Sequence, residues 1–359
     1  MKELKAMPLA FTYAGCFLGA GYVSGQELWQ FFGSFGNWGY LGFLIAIGLF
    51  MLLGIMLIRL TQMTGCEEVD RLLVPWNLPW LRTASGLIVA GMLLCTAVIM
   101  TAGVAALLHQ LFAVPVWLGG LAFAAAVVLI TLLGISGMIR VFASLIPVLV
   151  GATVLFAVLA FCRFDIHNIF RLTNTNTNPL TPNWLIAALT FVSYNFLGGI
   201  GIIAPVGKLV KKEKTVYAGI VLSGFLLTGV AFSVLGSLAI FPAATEAELP
   251  MVALASQLNP VLGVCYGLMM LIAMFCNSLG SLVALTTYAE QKKPNLMKKK
   301  KWICLGLGVF IWAGSLIGFG DLVGTVFPFF GYISVIYMVG LTVHFVREKK
   351  KEQKKIPEA

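Results

Sequence analysis

Long apolar runs separated by short polar punctuation recur ten times along this chain. A hydrocarbon layer is about 30 Å thick and a helical residue rises about 1.5 Å, so about 20 mostly apolar residues make a spanning helix. The pattern predicts spans over residues 7–35, 38–58, 84–111, 116–133, 141–162, 184–206, 216–241, 261–289, 302–319 and 322–346. The first run carries polar and acidic positions and continues past any small-residue cleavage site, which predicts a retained span and not a signal peptide. The expected architecture is an all-α integral membrane protein forming one transmembrane domain over 1–359. Residues 7–162 and 184–346 make two sets of five spans, and 347–359 a basic tail.

Composition agrees. Hydrophobic residues make up 60% and charged residues 11%, with mean hydropathy +0.96, whereas an ordinary soluble domain is about 25% charged. Seven cysteines scattered through apolar runs suggest neither a disulfide framework nor a Cys-x-x-Cys metal site. The net charge of +10 reads as topogenic. With an even number of spans, every Lys and Arg except Arg163 and Arg171 falls on the side of the two termini. The positive-inside bias makes that side cytoplasmic and the protein a multi-pass protein of the cell membrane. The basic tail, like Lys208, Lys211, Lys212 and Lys214, faces anionic lipid on this reading, and no nucleic-acid partner is expected.

The two sets of five spans echo one another. Phe17-Leu18-Gly19-Ala20-Gly21 in the first span recurs as Phe196-Leu197-Gly198-Gly199-Ile200-Gly201 in the sixth. Five is odd, so the second set enters the membrane from the opposite face and the repeat is inverted. Mid-span glycine clusters permit unwinding, which predicts discontinuous helices at spans one and six, with a site between the breaks. The alternative is that these glycines only let helices pack closely. Ser24-Gly25-Gln26-Glu27 has the form of a capping box, which predicts a helix restarting at Ser24. Glu27 is the carboxylate well inside an apolar span, so it is either a cap or a coupling group for an ion or proton.

The stretch from Gly15 to Glu27, followed by Gly33-Ser34-Phe35-Gly36-Asn37-Trp38-Gly39, resembles the YkvI family of bacterial membrane proteins. That family is similar to sodium:neurotransmitter symporters and to the amino acid, polyamine and organocation transporters. The resemblance implies the LeuT-type fold, with substrate and coupling ion at the breaks. By that resemblance the carbonyls of Gly15 and Leu18 match a sodium site whose hydroxyl partners lie on span eight, where this chain has Asn277, Ser278 and Ser281. At the other symporter sodium site, Cys16 and Tyr22 stand in place of asparagines. The third span has Thr96 and Thr101 but no tyrosine over the substrate carboxylate.

Half-helix N-termini suit an anionic group and the preceding carbonyls suit a cation, so the simplest ligand is a small zwitterion with a monovalent cation. Candidate substrate contacts are Gly19, Gly21, Ser24, Gly25, Gly199 and Gly201, with Tyr194 and Asn195 either closing the pocket or bonding between helices. Na+ is favoured over protons because span five has no lysine or acid to replace the ion, while Glu27 keeps the proton option open. No cofactor is expected.

Other patterns exclude more than they suggest. Gly19-x-Gly21 lies in a span, not after a strand, so no dinucleotide site follows. His109, His167 and His344 have no paired ligand spacing, and no P-loop motif occurs. Thr245-Glu246-Ala247-Glu248 predicts a capped helix between spans seven and eight, either a lid or a surface loop. The leading expectation is a secondary transporter of an amino acid or related zwitterion, sodium-coupled, monomeric or homodimeric. The alternative is a receptor subunit resembling the membrane subunits of spore germinant receptors. An enzyme is not expected.

Overall fold

A computed structural model describes residues 4–66, 69–74, 79–133, 138–164, 169–170, 172–292 and 300–354. His167 and Arg171, and several of the lysines counted above, lie outside them. The chain is helical, with one isolated bridge, Phe35 to Asn174, among the described residues.

The first span is made of pieces: α1 (Ala6–Phe17), α2 (Ala20–Ser24) and α3 (Gln26–Leu28), the last running into a π-helical turn over Trp29–Gly33. Then follow α4 (Asn37–Thr64), a short α5 (Val69–Leu73), α6 (Pro79–Phe112), α7 (Val116–Leu133) and α8 (Met138–Arg163). The second set is α9 (Trp184–Gly207), α10 (Glu213–Ile240), α11 (Pro250–Leu258), α12 (Pro260–Lys292), α13 (Lys300–Ser315) and α14 (Phe319–Lys354). All ten expected spans are present as helices. The break between the last two falls at Leu316-Ile317-Gly318, earlier than the hydropathy pattern placed it, because Gly318 turns the chain at φ +109°. Helix α14 continues through the basic run to Lys354.

Six helices, α4, α6, α9, α10, α12 and α14, are by themselves long and apolar enough to cross a membrane. Their outward faces are apolar too: Phe225, Val261 and Ile336 are each at least 60% exposed, as is Leu129 on α7. Such side chains suit lipid rather than water as the surrounding phase. Exposed Trp38, Trp80, Trp117 and Trp302 sit near helix ends, where amphipathic rings meet the membrane interface.

The packing carries an internal two-fold relation. Helix α1 packs on α10, and α9 on α4; α8 packs on α10, and α14 on α4; α6 packs on α13, and α7 on α12. Each of these pairs becomes its partner when the two sets of five spans are exchanged. The pairs α6 with α12 and α4 with α10 map onto themselves. The repeat read from one pair of glycine motifs is therefore a property of the whole bundle.

One expectation is corrected. Span six is a single continuous helix, α9, through Gly198, Gly199 and Gly201. The reason is steric. A β-carbon on Gly199 would lie 3.4 Å from Cys16 Cβ and 3.4 Å from Phe17 Cε1, so the glycine serves the close approach of α9 to the end of α1. It is the packing role of small residues that the structure realises at this position.

Candidate functional site

The break in the first span is an inverse γ-turn. Leu18 has φ −73° and ψ 59°, and the Gly19 amide donates to Phe17 O at 2.7 Å, as expected of that turn. In an unbroken helix that amide would bond Gly15 O. The Gly15 carbonyl thus loses its regular helical donor, and the Leu18 carbonyl falls at the turn itself. Helix α2 restarts at Ala20, with Gly19 as N-cap and no side-chain cap. The restart comes four residues before the expected Ser24. A second interruption follows at Gly25, which adopts φ +87°, a conformation natural to glycine.

Helix α12 faces the break. A β-carbon on Gly19 would lie 3.9 Å from Asn277 Nδ2, and α12 packs against α2. Next to Asn277, the Ser278 side chain is fully buried and its Oγ has no hydrogen-bond partner among the described residues. Ser281, one turn on, is nearly buried. The Asn277 side-chain amide therefore lies at the level of the break, with the unpartnered Ser278 hydroxyl on the next residue of the same helix. The second ion position fares differently: Cys16 Sγ donates to Thr12 O at 3.2 Å, and the Tyr22 hydroxyl to Leu227 O at 2.8 Å. Both groups are committed elsewhere.

The capping box does not form. Ser24 Oγ donates to Gly21 O at 2.8 Å and accepts from the Gln26 amide at 3.2 Å. Glu27 instead turns inward, where its Oε2 accepts from the Tyr194 hydroxyl at 3.0 Å. The glycine at 21 is what makes room, since a β-carbon there would land inside the Glu27 carboxyl group. Tyr194 also stacks on Phe327 with centroids 4.4 Å apart, so it bonds between helices. Asn195 donates to Phe191 O within its own helix at 3.0 Å and stays half-buried. Of the remaining candidates, Gly199 abuts the break, while Gly201 is exposed.

Two features escaped the sequence reading. Tyr266 on α12 donates to Val23 O at 2.7 Å and meets Thr153 at 3.0 Å. It bonds a carbonyl just before the turn at Gly25. At the far end of α3, Gln30 Nε2 donates to Gly320 O at 2.9 Å, Glu248 Oε2 accepts from the Gly320 amide at 2.7 Å, and Asn178 Nδ2 donates to Gly324 O at 2.7 Å. These bonds draw the segments before α9 and α11 over the start of α14. The polar residues Gln26 and Gln30, four apart in the sequence, were the available signal. The helix beyond span seven begins at Pro250, after a 3-10 turn over Pro242–Glu246, not at a Thr245 cap. Proline at the first helical position sets that start.

This architecture is the LeuT-type fold. The chain matches Mhp1 in an inward-facing conformation at TM-score 0.68 and 16% identity, covering 94% of this chain and 76% of that one. It matches MhsT, solved in complex with L-phenylalanine, at TM-score 0.60 and 16% identity, covering 96% and 89%. A manganese transporter of Eremococcus coleocola matches at TM-score 0.54 and 14% identity, covering 99% and 88%. In sequence the chain is similar to two Bacillus subtilis (strain 168) proteins. The membrane protein YkvI is 25% identical over 340 residues, 94% of this chain and 95% of YkvI, and YyaD is 26% identical over 347 residues, 94% and 96%. The resemblance carried by the first span thus extends over nearly the whole chain. No family model matches it.

Proposed function

We propose that the protein is a secondary transporter, not an enzyme. On this reading it moves a small solute, an amino acid or related zwitterion, by alternating access, with Na+ as the coupling ion. The observation that carries the reading is the γ-turn at Leu18, which takes the helical donor from the Gly15 carbonyl at a break that Asn277 faces, with the unpartnered Ser278 hydroxyl on the next residue of α12. Helical carbonyl ends attract a cation, and the restarting amides of α2 attract a carboxylate. The continuous α9 leaves the break in span one as the main source of free backbone groups, with Gly199 forming the opposite wall.

The structural neighbours support the transporter class, since one of them is described as a manganese transporter and another was solved in an inward-facing conformation. The L-phenylalanine bound to MhsT is in keeping with an amino acid substrate. Glu27 holds α3 to α9 through Tyr194, and an ionisable group at that depth is a candidate for proton or cation coupling. The test is uptake of labelled amino acids into proteoliposomes under an imposed sodium gradient. Accumulation that collapses with the gradient supports the reading. Saturable binding without accumulation contradicts it and favours a receptor.

A further inference from the structure

The Glu27 carboxylate has no counter-charge among the described residues. Helix α2 ends at Gly25, whose φ of +87° turns the chain. The turn carries Glu27 back onto α2, so that a β-carbon on Gly21 would overlap its Oε1, Cδ and Cγ atoms. The side chain is buried, at 5% exposure. Among the described residues the hydrogen bond it accepts comes from the Tyr194 hydroxyl, and the ion pairs, Arg59 with Glu213 and Lys351 with Glu348, lie elsewhere. An ionised carboxylate so placed is costly unless a cation meets it.

The surroundings suit one kind of cation. On the same short segment, Gln26 Oε1 and Gln30 Oε1 are buried acceptors with no partner among the described residues. The Tyr194 ring, which presents its hydroxyl to Glu27, has the centroids of Phe327, Phe31 and Phe191 at 4.4, 5.6 and 5.8 Å. The carboxylate is therefore backed by an aromatic wall. An alkylammonium carries three N–H donors and no acceptor, and its carbon skeleton and charge are both compatible with aromatic rings. A segment with acceptors to spare and an apolar wall is complementary to such a group.

On the transport reading, the amides that restart α2 receive the anionic end of the solute. Glu27 already sets a carboxylate on Gly21, inside that five-residue helix. An incoming carboxylate meets like charge there unless the solute brings a cation with it, which an amino acid does and a simple carboxylic acid does not. We propose, on the basis of the transport reading, that Glu27 is the counter-ion for the ammonium group of the solute, and that it makes an amine the part of the solute the chain requires. Tyr194 positions the carboxylate by donating to Oε2, and Oε1 takes the ammonium.

The test is a thermal shift of the full chain in detergent at pH 7, in sodium and in choline buffer. Each of the twenty common amino acids that raises the melting temperature is compared with the same skeleton lacking the amine, as 3-phenylpropionate stands to phenylalanine. The amino acid should stabilise the wild type and the deaminated acid should not. Glu27→Gln should lower the apparent affinity for the amino acid on the order of tenfold or more. Glu27→Asp, which keeps the charge, should lose less, and Glu290→Gln, which removes an exposed carboxylate near the end of α12, should lose nothing. The comparison of analogues uses the wild type alone, so it decides the matter even if Glu27→Gln does not fold. The proposal is overturned, with the transport reading intact, if Glu27→Gln responds to the amino acid as the wild type does or if the deaminated acid stabilises equally well. It is also overturned if Glu27→Gln loses the stabilisation that sodium gives without an amino acid, which would make Glu27 a ligand of the ion. Absence of any amino acid response in the wild type overturns both the proposal and the transport reading.

Discussion

Two side chains at the break report on different things. The Glu27 carboxyl accepts from Tyr194 deep in the bundle, and removing one partner of a buried hydrogen bond strands the other, at about 1–3 kcal/mol. Glu27→Ala should lower the melting temperature measurably, whereas Glu27→Gln keeps an acceptor for the tyrosine and should recover most of the loss. Equal destabilisation by both would show that the charge matters beyond the hydrogen bond. Ser278 predicts the opposite pattern. Its buried hydroxyl has no partner among the described residues, so Ser278→Ala removes an unsatisfied polar group and should leave the melting temperature in choline buffer unchanged or raised. If the hydroxyl serves Na+, the stabilisation that sodium gives the wild type should disappear in the variant. Sodium stabilisation equal in both would remove Ser278 from the ion site.

At the scale of the helix, the glycines of the first and sixth spans do different work despite their matching sequence. Gly199 keeps α9 against Cys16 and Phe17, and a β-carbon added there would meet its three nearest atoms at 3.3–3.4 Å. Gly199→Ala should therefore insert and melt nearly as the wild type does, with a loss of about 1–3 kcal/mol at most from overpacking. Gly199→Leu should separate α9 from the break and lose ligand stabilisation while the chain still inserts into the membrane; binding unchanged by leucine would place the site away from this contact. This difference explains what was legible in the sequence. A glycine cluster announces either unwinding or close approach, and only the neighbour it meets decides which. At Leu18 the chain turns; at Gly199 another helix fills the space. Glu27 and Tyr194 lie 167 positions apart, so no local pattern joins them, and a cap is the nearest role that local sequence offers Glu27. The start of α11 at Pro250 is signalled by the proline itself, although the Thr245-Glu248 pattern precedes it and mimics a cap.

Over the whole molecule, hydropathy made the ten spans legible because a span must shed nearly all its polar groups, which no folding detail can hide. The inverted repeat was legible from one pair of motifs and is realised in the exchange of packing pairs across the bundle. What the chain cannot display in linear order is the set of long-range bonds that close the far end over α3, from Gln30, Glu248 and Asn178 to the start of α14. Of these bonds the one from Gln30 lies on the same span as the break, just beyond α3, so the far end of that span is held by one contact set and α1 by another, through Leu4 and Leu209. A division of that kind suits two halves of a span that move separately between outward and inward openings.

The central claim is that the turn at Leu18 and Gly19 faces a ligand. Gly19 has φ −74°, which any residue adopts, and open space up to Asn277, so a side chain there fills the site without straining the backbone. The most direct measurement is a thermal-shift screen of the twenty common amino acids, with sodium or choline, on the wild type and Gly19→Leu. A ligand selective for the folded state raises the melting temperature in proportion to its occupancy. The account predicts a sodium-dependent shift by at least one amino acid in the wild type and none in a Gly19→Leu protein of normal insertion and basal stability. The same shift in both proteins would contradict it.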